Sequence, residues 1–140
     1  MILVDTNIVS EAMKLHPDQT VTAWMNAQDW DSLYLCTPVL AELHYGIDRL
    51  VRGRRKHLLA AGLDRVENEL YHGRILSFDQ AAASNYGRLT VERERLGRRM
   101  EQMDALIAAI ALTHGATIAT RDLGDFADLG LDVINPFDVP

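Results

Sequence analysis

Short apolar runs alternate with longer amphipathic stretches along this chain, and each kind of segment predicts a different element. Runs rich in branched residues predict five short strands, over residues 2–4, 33–36, 74–78, 116–120 and 131–134. The stretches between them have apolar residues at helical spacing and predict helices over residues 8–14, 19–27, from 37 onward, 54–70, 79–96 and 103–114. Strands that alternate with helices in this way are typical of an α/β fold with a parallel sheet and right-handed crossovers.

The first strand indicates where a functional site would lie. Ile2, Leu3 and Val4 form an unbroken apolar run, as in a strand buried on both faces, and the run stops at Asp5. Ligands of parallel α/β sheets bind at the carboxyl ends of the strands, so Asp5 is a candidate functional residue. The same carboxylate is also a good helix cap, and capping is the more common role of a lone aspartate in this position.

Further carboxylates follow the other predicted strands or begin a predicted helix. Thr37 is expected to cap the helix after the second strand, and Glu42 lies at the edge of the apolar stripe of that helix, where a merely solvated glutamate is also common. Asp104 is the only charge near the start of a helix that is apolar all round, a position that also favours a carboxylate through the helix dipole. Asp122 and Asp125 follow the fourth strand.

In a parallel sheet these carboxylates would all lie at one edge and converge. Converging carboxylates repel one another unless a proton or a cation compensates them. Hard divalent cations such as Mg²⁺ or Mn²⁺ take oxygen ligands and are commonly shared with substrate phosphates. The set Asp5, Glu42, Asp104 and Asp122 therefore predicts metal-dependent hydrolysis of a phosphodiester.

The sequence lacks the residues that several other kinds of site require. Cys36 is the only cysteine, so no intrachain disulfide can form, which fits a reducing cytoplasm. The five histidines are scattered without the spacing of a zinc site, and no G-x-x-x-x-G-K-S/T phosphate loop occurs. A phosphatase that uses Asp-x-Asp after its first strand would need an aspartate where Asn7 stands.

The length and composition predict one domain that spans residues 1–140. A chain of 140 residues with 48% apolar content can bury about two thirds of the surface that its unfolded form exposes. The sequence begins without a basic leader, so we do not expect a secretory precursor. The longest apolar run, residues 105–112, is far short of the ~20 residues that span a bilayer, so no membrane partner is expected.

The net charge of −6 is unevenly distributed along the chain. Residues 1–100 carry thirteen basic and thirteen acidic side chains, so the whole excess of negative charge lies in residues 101–140. One group of cations, the basic cluster, consists of Arg49, Arg52, Arg54, Arg55 and Lys56. It has only Asp48 as an acidic neighbour and is a candidate for phosphate contact, although a solvated face is about as common. The second group, in residues 88–99, is expected to be neutralised by the helical pairs Arg88/Glu92 and Glu94/Arg98.

Four stretches of the sequence, residues 2–7, 40–46, 104–109 and 119–126, are characteristic of one family when taken together. They resemble the PIN domain, in particular the toxin ribonucleases of the VapC and FitB type. The resemblance implies a three-layer α/β/α sandwich with a central parallel sheet and Mg²⁺- or Mn²⁺-dependent endoribonuclease activity. It implies Asp5 and Asp104 as principal metal ligands, with Glu42 and Asp122 completing the acidic set. Asp125 is an alternative to Asp122 in the fourth role.

The resemblance also implies supporting residues and partners. Asn7 and Thr120 would hold ligands or the attacking water in place. Such toxins are usually homodimers held inactive by a DNA-binding, VapB-like antitoxin, and the two together commonly bind their own promoter DNA. Two alternatives remain open: a housekeeping nuclease of the same fold that acts in RNA maturation, and a non-catalytic module whose acidic groove docks a basic peptide.

Overall fold

The computed structural model describes residues 1–139, and these residues form five short strands and six α-helices. The strands are β1 (Ile2–Val4), β2 (Leu33–Cys36), β3 (Ile75–Leu76), β4 (Thr117–Ala119) and β5 (Val133–Ile134). The helices are α1 (Thr6–Ala12), α2 (Gln19–Ala27), α3 (Thr37–Asp48), α4 (Arg54–Arg65), α5 (Gln80–Arg95) and α6 (Gln102–His114). A π-helical turn, Val66–Leu70, extends α4, and short 3₁₀ helices cover Trp30–Ser32 and Leu123–Phe126.

The sheet has the order β3-β2-β1-β4-β5, and every neighbouring pair of strands is parallel. The central strand is β1, whose Leu3 and Val4 are fully buried, as the unbroken apolar run predicted. The chain passes from β1 to β2 on one side and returns to β4 on the other side. The carboxyl ends of β1 and β4 therefore border the point where the strand order reverses, and parallel sheets bind their ligands there.

Helices cover both faces of the sheet, so the predicted α/β/α sandwich is confirmed. The most enclosed helix is α6, in which Ala105 and all five residues from Ile107 to Ala111 are at most 1% exposed. Gly115 ends α6 with a φ of 62°, a left-handed conformation that glycine adopts at little cost. Within residues 1–139 no helix is both long enough and apolar enough to cross a bilayer.

Several element boundaries differ from those predicted. The helix α1 begins at Thr6, two residues early, because Asp5 provides its cap. The edge strand β3 contains only Ile75 and Leu76 of the predicted 74–78, since it pairs with β2 alone. The strands β4 and β5 are likewise shorter than predicted, at three and two residues.

Two local predictions were wrong. Thr37 is not a cap but the first residue of α3; the capping position belongs to Cys36, and the Thr37 hydroxyl accepts a hydrogen bond from the Phe78 N–H at 3.4 Å. Neither Arg88/Glu92 nor Glu94/Arg98 forms an ion pair among residues 1–139. Arg98 lies beyond the end of α5 and pairs with Asp128, while Arg88 donates to the Asn85 side chain.

Candidate active site

The carboxylates singled out in the sequence line one open cavity of about 310 Å³ at the carboxyl edge of the sheet. Its lining consists of Asp5, Thr6, Asn7, Glu42, Glu101, Asp104, Asp122 and Asp125. All five predicted acidic residues are therefore brought together from separate elements, including both candidates for the fourth role. Glu101 and Thr6 were missed, although each lies within three residues of a predicted member of the site, which is the signal that could have found them.

Asp5 is held in place by three donors at the end of the central strand. Its Oδ1 accepts a hydrogen bond from the Thr6 N–H at 2.8 Å, so the carboxylate does cap α1. Its Oδ2 accepts from the hydroxyl of Thr120 at 2.7 Å and from the amide of Asn7 at 3.4 Å. Burial raises the pKa of Asp5, and the hydrogen bonds from Thr120 and Thr6 oppose that rise. Capping and membership of the acidic cavity are thus compatible roles.

Asn7 joins the ends of β1 and β4. Its Nδ2 lies 3.1 Å from Asp122 Oδ2 and 3.3 Å from Thr120 Oγ1, while its Oδ1 accepts from the Arg121 N–H at 3.1 Å. Since a backbone N–H must donate, that last bond fixes which way the amide is turned. The fully buried Thr120 hydroxyl in turn accepts from the Asp122 N–H at 3.1 Å. Asn7 and Thr120 therefore orient the side chains of Asp5 and Asp122 relative to each other.

Glu42 enters the cavity from α3, as its place at the edge of the apolar stripe predicted. Its Oε1 accepts a hydrogen bond from the Thr6 hydroxyl at 2.8 Å, and the side chain is partly buried. Thr6 thereby connects the first turn of α1 to α3. This hydrogen bond holds one carboxylate oxygen of Glu42, and the other accepts no hydrogen bond from residues 1–139.

Asp104 lies in the first turn of α6 and is partly buried. Burial raises the pKa of this carboxyl from its ordinary value of 3.8 to about 7, with further contributions from the negative charges of Asp5, Asp125 and Glu101. A carboxyl that titrates near neutral pH in a cleft is a frequent feature of functional sites. The part of the rise that comes from neighbouring carboxylates is repulsion that a bound cation would relieve.

Asp122 is the N-cap residue of the 3₁₀ helix Leu123–Phe126, Asp125 lies within that helix, and both are exposed. Asp122 is bound to Asn7, whereas the Asp125 carboxylate has no hydrogen bond within the described chain. Asp125 raises the pKa of Asp104 and Asp122 raises that of Asp5, so each is electrostatically coupled to one of the two buried carboxyls. The geometry therefore supports a role for both.

Arg93 is a buried cation that the sequence did not single out. It is 4% exposed, and its guanidinium donates to the backbone carbonyls of Arg98 at 2.9 Å, Asp125 at 3.0 Å and Ala127 at 3.0 Å. These bonds connect the end of α5 to the segment before α6 and to the loop that carries Asp125. Helical spacing alone treats Arg93 as one of several surface arginines, so no local signal distinguished it.

The basic cluster lies beyond Glu42, around the end of α3 and the start of α4. Two of the three N–H donors of the Lys56 ammonium bind the carbonyls of Asp48 at 3.0 Å and Leu50 at 3.2 Å, so at most one is left for a phosphate. The Arg49 guanidinium lies over the Tyr45 ring, 5.5 Å from its centre. Within residues 1–139, none of the four arginines of the cluster forms an ion pair.

The oxygen-rich lining fits a hard divalent ion. Within the described chain, no three Asp, Glu, His or Cys side chains are close enough to bind one ion directly. Mg²⁺ does not need such a cluster, since it usually keeps several waters and binds protein through one or two carboxylates. Asp5 and Asp104, whose pKa values are raised, are the carboxylates that a cation would relieve most.

Comparison with known proteins identifies the class of this fold. The PIN domain model matches residues 2–130, and the chain belongs to the PIN-domain family. VapC ribonuclease Y4jK of Sinorhizobium fredii is 38% identical over 99% of both chains, and toxin FitB of Neisseria gonorrhoeae is 36% identical over 98% of this chain and 99% of its own. The solved structure of FitAB bound to an IR36 DNA fragment matches with a TM-score of 0.93 and 34% identity, over 100% of this chain and 98% of that one. Within the family, the chain thus groups with the VapC and FitB toxins.

Proposed function

We propose that this chain is the toxin of a type II toxin–antitoxin pair and acts as a Mg²⁺- or Mn²⁺-dependent endoribonuclease. The observation that carries the proposal is the convergence of Asp5, Glu42, Asp104, Asp122 and Asp125 on one cavity at the reversal of the strand order. The names of the relatives, a VapC ribonuclease and a toxin, support the same activity. We also propose that the 140 residues form one domain and that the protein works in the cytoplasm, which its single buried cysteine favours.

In this proposal the side chains have distinct tasks. Asp5 and Asp104 would hold the ion, with Glu42 and Asp122 or Asp125 completing the set. A bound divalent ion supplies an activated water and stabilises the charge that develops on the phosphate. Hydrogen bonds from Thr120 and Asn7 hold Asp5 Oδ2 in place, and a hydrogen bond from Thr6 does the same for Glu42 Oε1. Asp104 remains partly protonated near neutral pH until a cation displaces its proton.

The proposed partners follow from the relatives. FitAB is bound to a DNA fragment in one matching structure, and VapBC2 from Rickettsia felis is bound to a DNA fragment from their promoter in another. Both support an antitoxin partner for this chain and assembly of the two on promoter DNA. We propose a homodimeric toxin within that assembly. The acidic cavity is suited to a basic side chain of an inhibitory antitoxin, since an unpaired cation would relieve the repulsion between its carboxylates.

A cleavage map on total RNA tests the proposed activity. The purified chain is incubated with RNA and Mg²⁺ or Mn²⁺, and the new ends are sequenced. We expect cleavage at discrete sites that EDTA abolishes. Cleavage that persists in EDTA, or intact RNA at high enzyme concentration, would refute a metal-dependent ribonuclease. The gene neighbourhood separates a toxin from a housekeeping nuclease, because only the toxin requires a small DNA-binding antitoxin encoded beside it.

Ion binding is expected to depend on pH through Asp104. A metal ligand must be deprotonated, and Asp104 with its pKa of about 7 is still mainly protonated below pH 7. Affinity for Mn²⁺ should therefore rise between about pH 5 and pH 7 and level off above about pH 8. Titration calorimetry at pH 6 in two buffers of different ionisation enthalpy should detect proton release on binding. The release should disappear at pH 8.5 and in Asp104→Asn. A pH-independent affinity across this range would contradict the assignment of Asp104 as a ligand.

Charge reversal in the basic cluster should weaken RNA binding. Arg52 and Arg54 are exposed and form no ion pair with any residue from 1 to 139, and Arg54 begins α4, where the helix dipole disfavours a cation. The double variant Arg52→Glu/Arg54→Glu should bind single-stranded RNA at least about tenfold more weakly, with a log–log salt slope that is flatter by about 1.4. The matched control, Arg88→Glu/Arg95→Glu on the exposed side of α5, should behave like wild type. Equal binding by both double variants would assign the cluster to solvent.

A further inference from the structure

A second cavity adjoins the acidic one, between α1, α3 and α4. It has a volume of about 300 Å³ and shares Glu42 with the acidic cavity, so the two are neighbours along α3. Its apolar lining consists of Met13, Leu43, Ile47, Leu50 and Leu59. We call it the α3–α4 pocket. Its volume is at the lower end of the ~300–1,000 Å³ that is typical of small-ligand sites.

The charges around the α3–α4 pocket are positive except for Glu42. Lys14, Arg49 and Arg55 line it, and all three are exposed. Lys14 is neutralised by Glu11 at 3.0 Å, whereas neither Arg49 nor Arg55 forms an ion pair within residues 1–139. The pocket therefore combines an apolar floor with two unpaired guanidinium groups.

Arg49 and Tyr45 add a planar surface to the edge of the pocket. The guanidinium lies 5.5 Å from the centre of the Tyr45 ring, and Tyr45 is 66% exposed. Aromatic rings and arginine planes are the groups on which proteins stack the unpaired bases of single-stranded RNA. The pocket thus matches a nucleotide. Its apolar lining and planar edge suit the flat base, and its guanidinium groups suit the anionic phosphate.

We propose that the α3–α4 pocket binds the base of a nucleotide next to the cleaved bond, and that Arg49 and Arg55 contact a phosphate of that strand. The inference rests on the proposed ribonuclease activity, because it places the neighbouring phosphodiester at the acidic cavity. An RNA strand that passes from the acidic cavity across Glu42 meets the apolar lining and the guanidinium groups of the α3–α4 pocket. The pocket would therefore contribute to the choice of the sequence that is cut.

Gly46 offers a direct way to fill this pocket. It lies within α3, lines the pocket, and a Cβ added to it would meet no atom within 4 Å. Its φ is not in the left-handed region, so Gly46→Leu places a side chain in the pocket without backbone strain and removes a helix-interior glycine. Gly87→Leu is the matched control. Like Gly46, Gly87 lies inside a helix and has open space where a Cβ would be added, but its helix is α5 and it does not line the pocket.

The experiment measures binding and cleavage separately. Binding of a fluorescent single-stranded RNA is followed by anisotropy in EDTA, and cleavage of the same RNA is followed in Mg²⁺. Gly46→Leu should lose roughly tenfold in affinity and in kcat/KM, as for the loss of one stacked base, while Gly87→Leu should match wild type. Arg49→Gln, an exposed substitution that leaves the pocket open, should flatten the salt dependence of binding by a slope of about 0.7.

The possible outcomes separate the pocket from the activity. If Gly46→Leu has the RNA affinity and kcat/KM of wild type, the proposal is overturned. If the antitoxin in addition no longer inhibits that variant, the pocket is assigned to antitoxin binding. If wild type binds RNA in a way that Gly46→Leu weakens but does not cleave it, the ribonuclease activity and the neighbouring cleaved bond are refuted, and the pocket stands only as a site that binds an RNA base. If wild type does not bind single-stranded RNA, both proposals are refuted.

Discussion

Replacing Asp104 by asparagine should abolish RNA cleavage and at the same time make the metal-free protein more stable at pH 8. The substitution removes a ligand and a charge but keeps the size of the side chain. Loss of a metal ligand removes several kcal/mol of transition-state stabilisation, so we expect kcat/KM to fall at least ~1,000-fold. Asp5→Asn should lose activity by a similar factor. Because Asp5 Oδ2 accepts from both Thr120 and Asn7, an amide there should lower stability instead.

The gain in stability for Asp104→Asn follows from the sign of its pKa shift. The folded protein raises the pKa of Asp104 from 3.8 to about 7, so the fold favours the protonated carboxyl. That stabilisation is complete below about pH 4 and is lost as the pH rises through about 7, where the carboxylate becomes charged in the folded state. Asparagine carries no charge at pH 8, so the variant does not bear the free-energy cost of a partly buried carboxylate. Asp104 is only partly buried, so after allowance for solvent screening we expect a gain of about 1 kcal/mol at pH 8.

Thermal unfolding in EDTA at pH 4 and pH 8 measures this effect. At pH 8 the melting temperature of Asp104→Asn should exceed that of wild type by about 3 °C, and at pH 4 the two should coincide. Asp132→Asn is the control, because Asp132 is exposed, lies outside the acidic cavity and has no side-chain hydrogen bond within the described residues. A variant that retains cleavage, or that is less stable than wild type at pH 8, would contradict the role and the electrostatics assigned to Asp104.

Replacing Arg93 by leucine should cost about 2–4 kcal/mol of unfolding free energy and also weaken ion binding. The substitution leaves three carbonyl oxygens, those of Arg98, Asp125 and Ala127, without their donor. Each buried acceptor that loses its partner costs about 1–3 kcal/mol, with some recovery through water. Because the same bonds position the segment before α6 and the Asp125 loop, their loss should also spread the carboxylates of the cavity.

Denaturant unfolding and Mn²⁺ calorimetry together test the role of Arg93. Arg93→Lys should lie between wild type and Arg93→Leu, since one ammonium cannot reproduce the planar fork of donors. The control is Arg95→Leu, an exposed arginine on the same helix, which should change stability by less than about 0.5 kcal/mol. Calorimetry at a temperature where Arg93→Leu is fully folded separates the loss of ion affinity from the loss of stability. Equal behaviour of Arg93→Leu and Arg95→Leu would show that the three bonds contribute little.

The sequence alone determined the secondary-structure elements and the positions of the site carboxylates along them, because both depend on the pattern of apolar and polar residues within short segments. An unbroken apolar run identifies β1 as a buried strand, Gly115 marks the end of α6, and the apolar stripe of α3 places Glu42 at its edge. A parallel sheet then requires the residues after its strands, such as Asp5 and Asp122, to share one edge. A helix that leads back into the next strand begins at that same edge, so the convergence of Asp104 with them was also predictable.

Only the tertiary structure decided how those residues are held and charged. The bonds from Asn7 to Thr120 and Asp122 join positions more than 110 residues apart, and they exist because β4 lies beside β1 in the sheet. The apolar pattern of a strand predicts how buried that strand is, but it does not predict which other strand pairs with it. The strand order therefore cannot be predicted from periodicity. For the same reason the sequence treated Arg93 as a surface cation and Arg98 as the partner of Glu94. Burial and long-range neighbours decide what a charged side chain does, and both arise only when the elements pack.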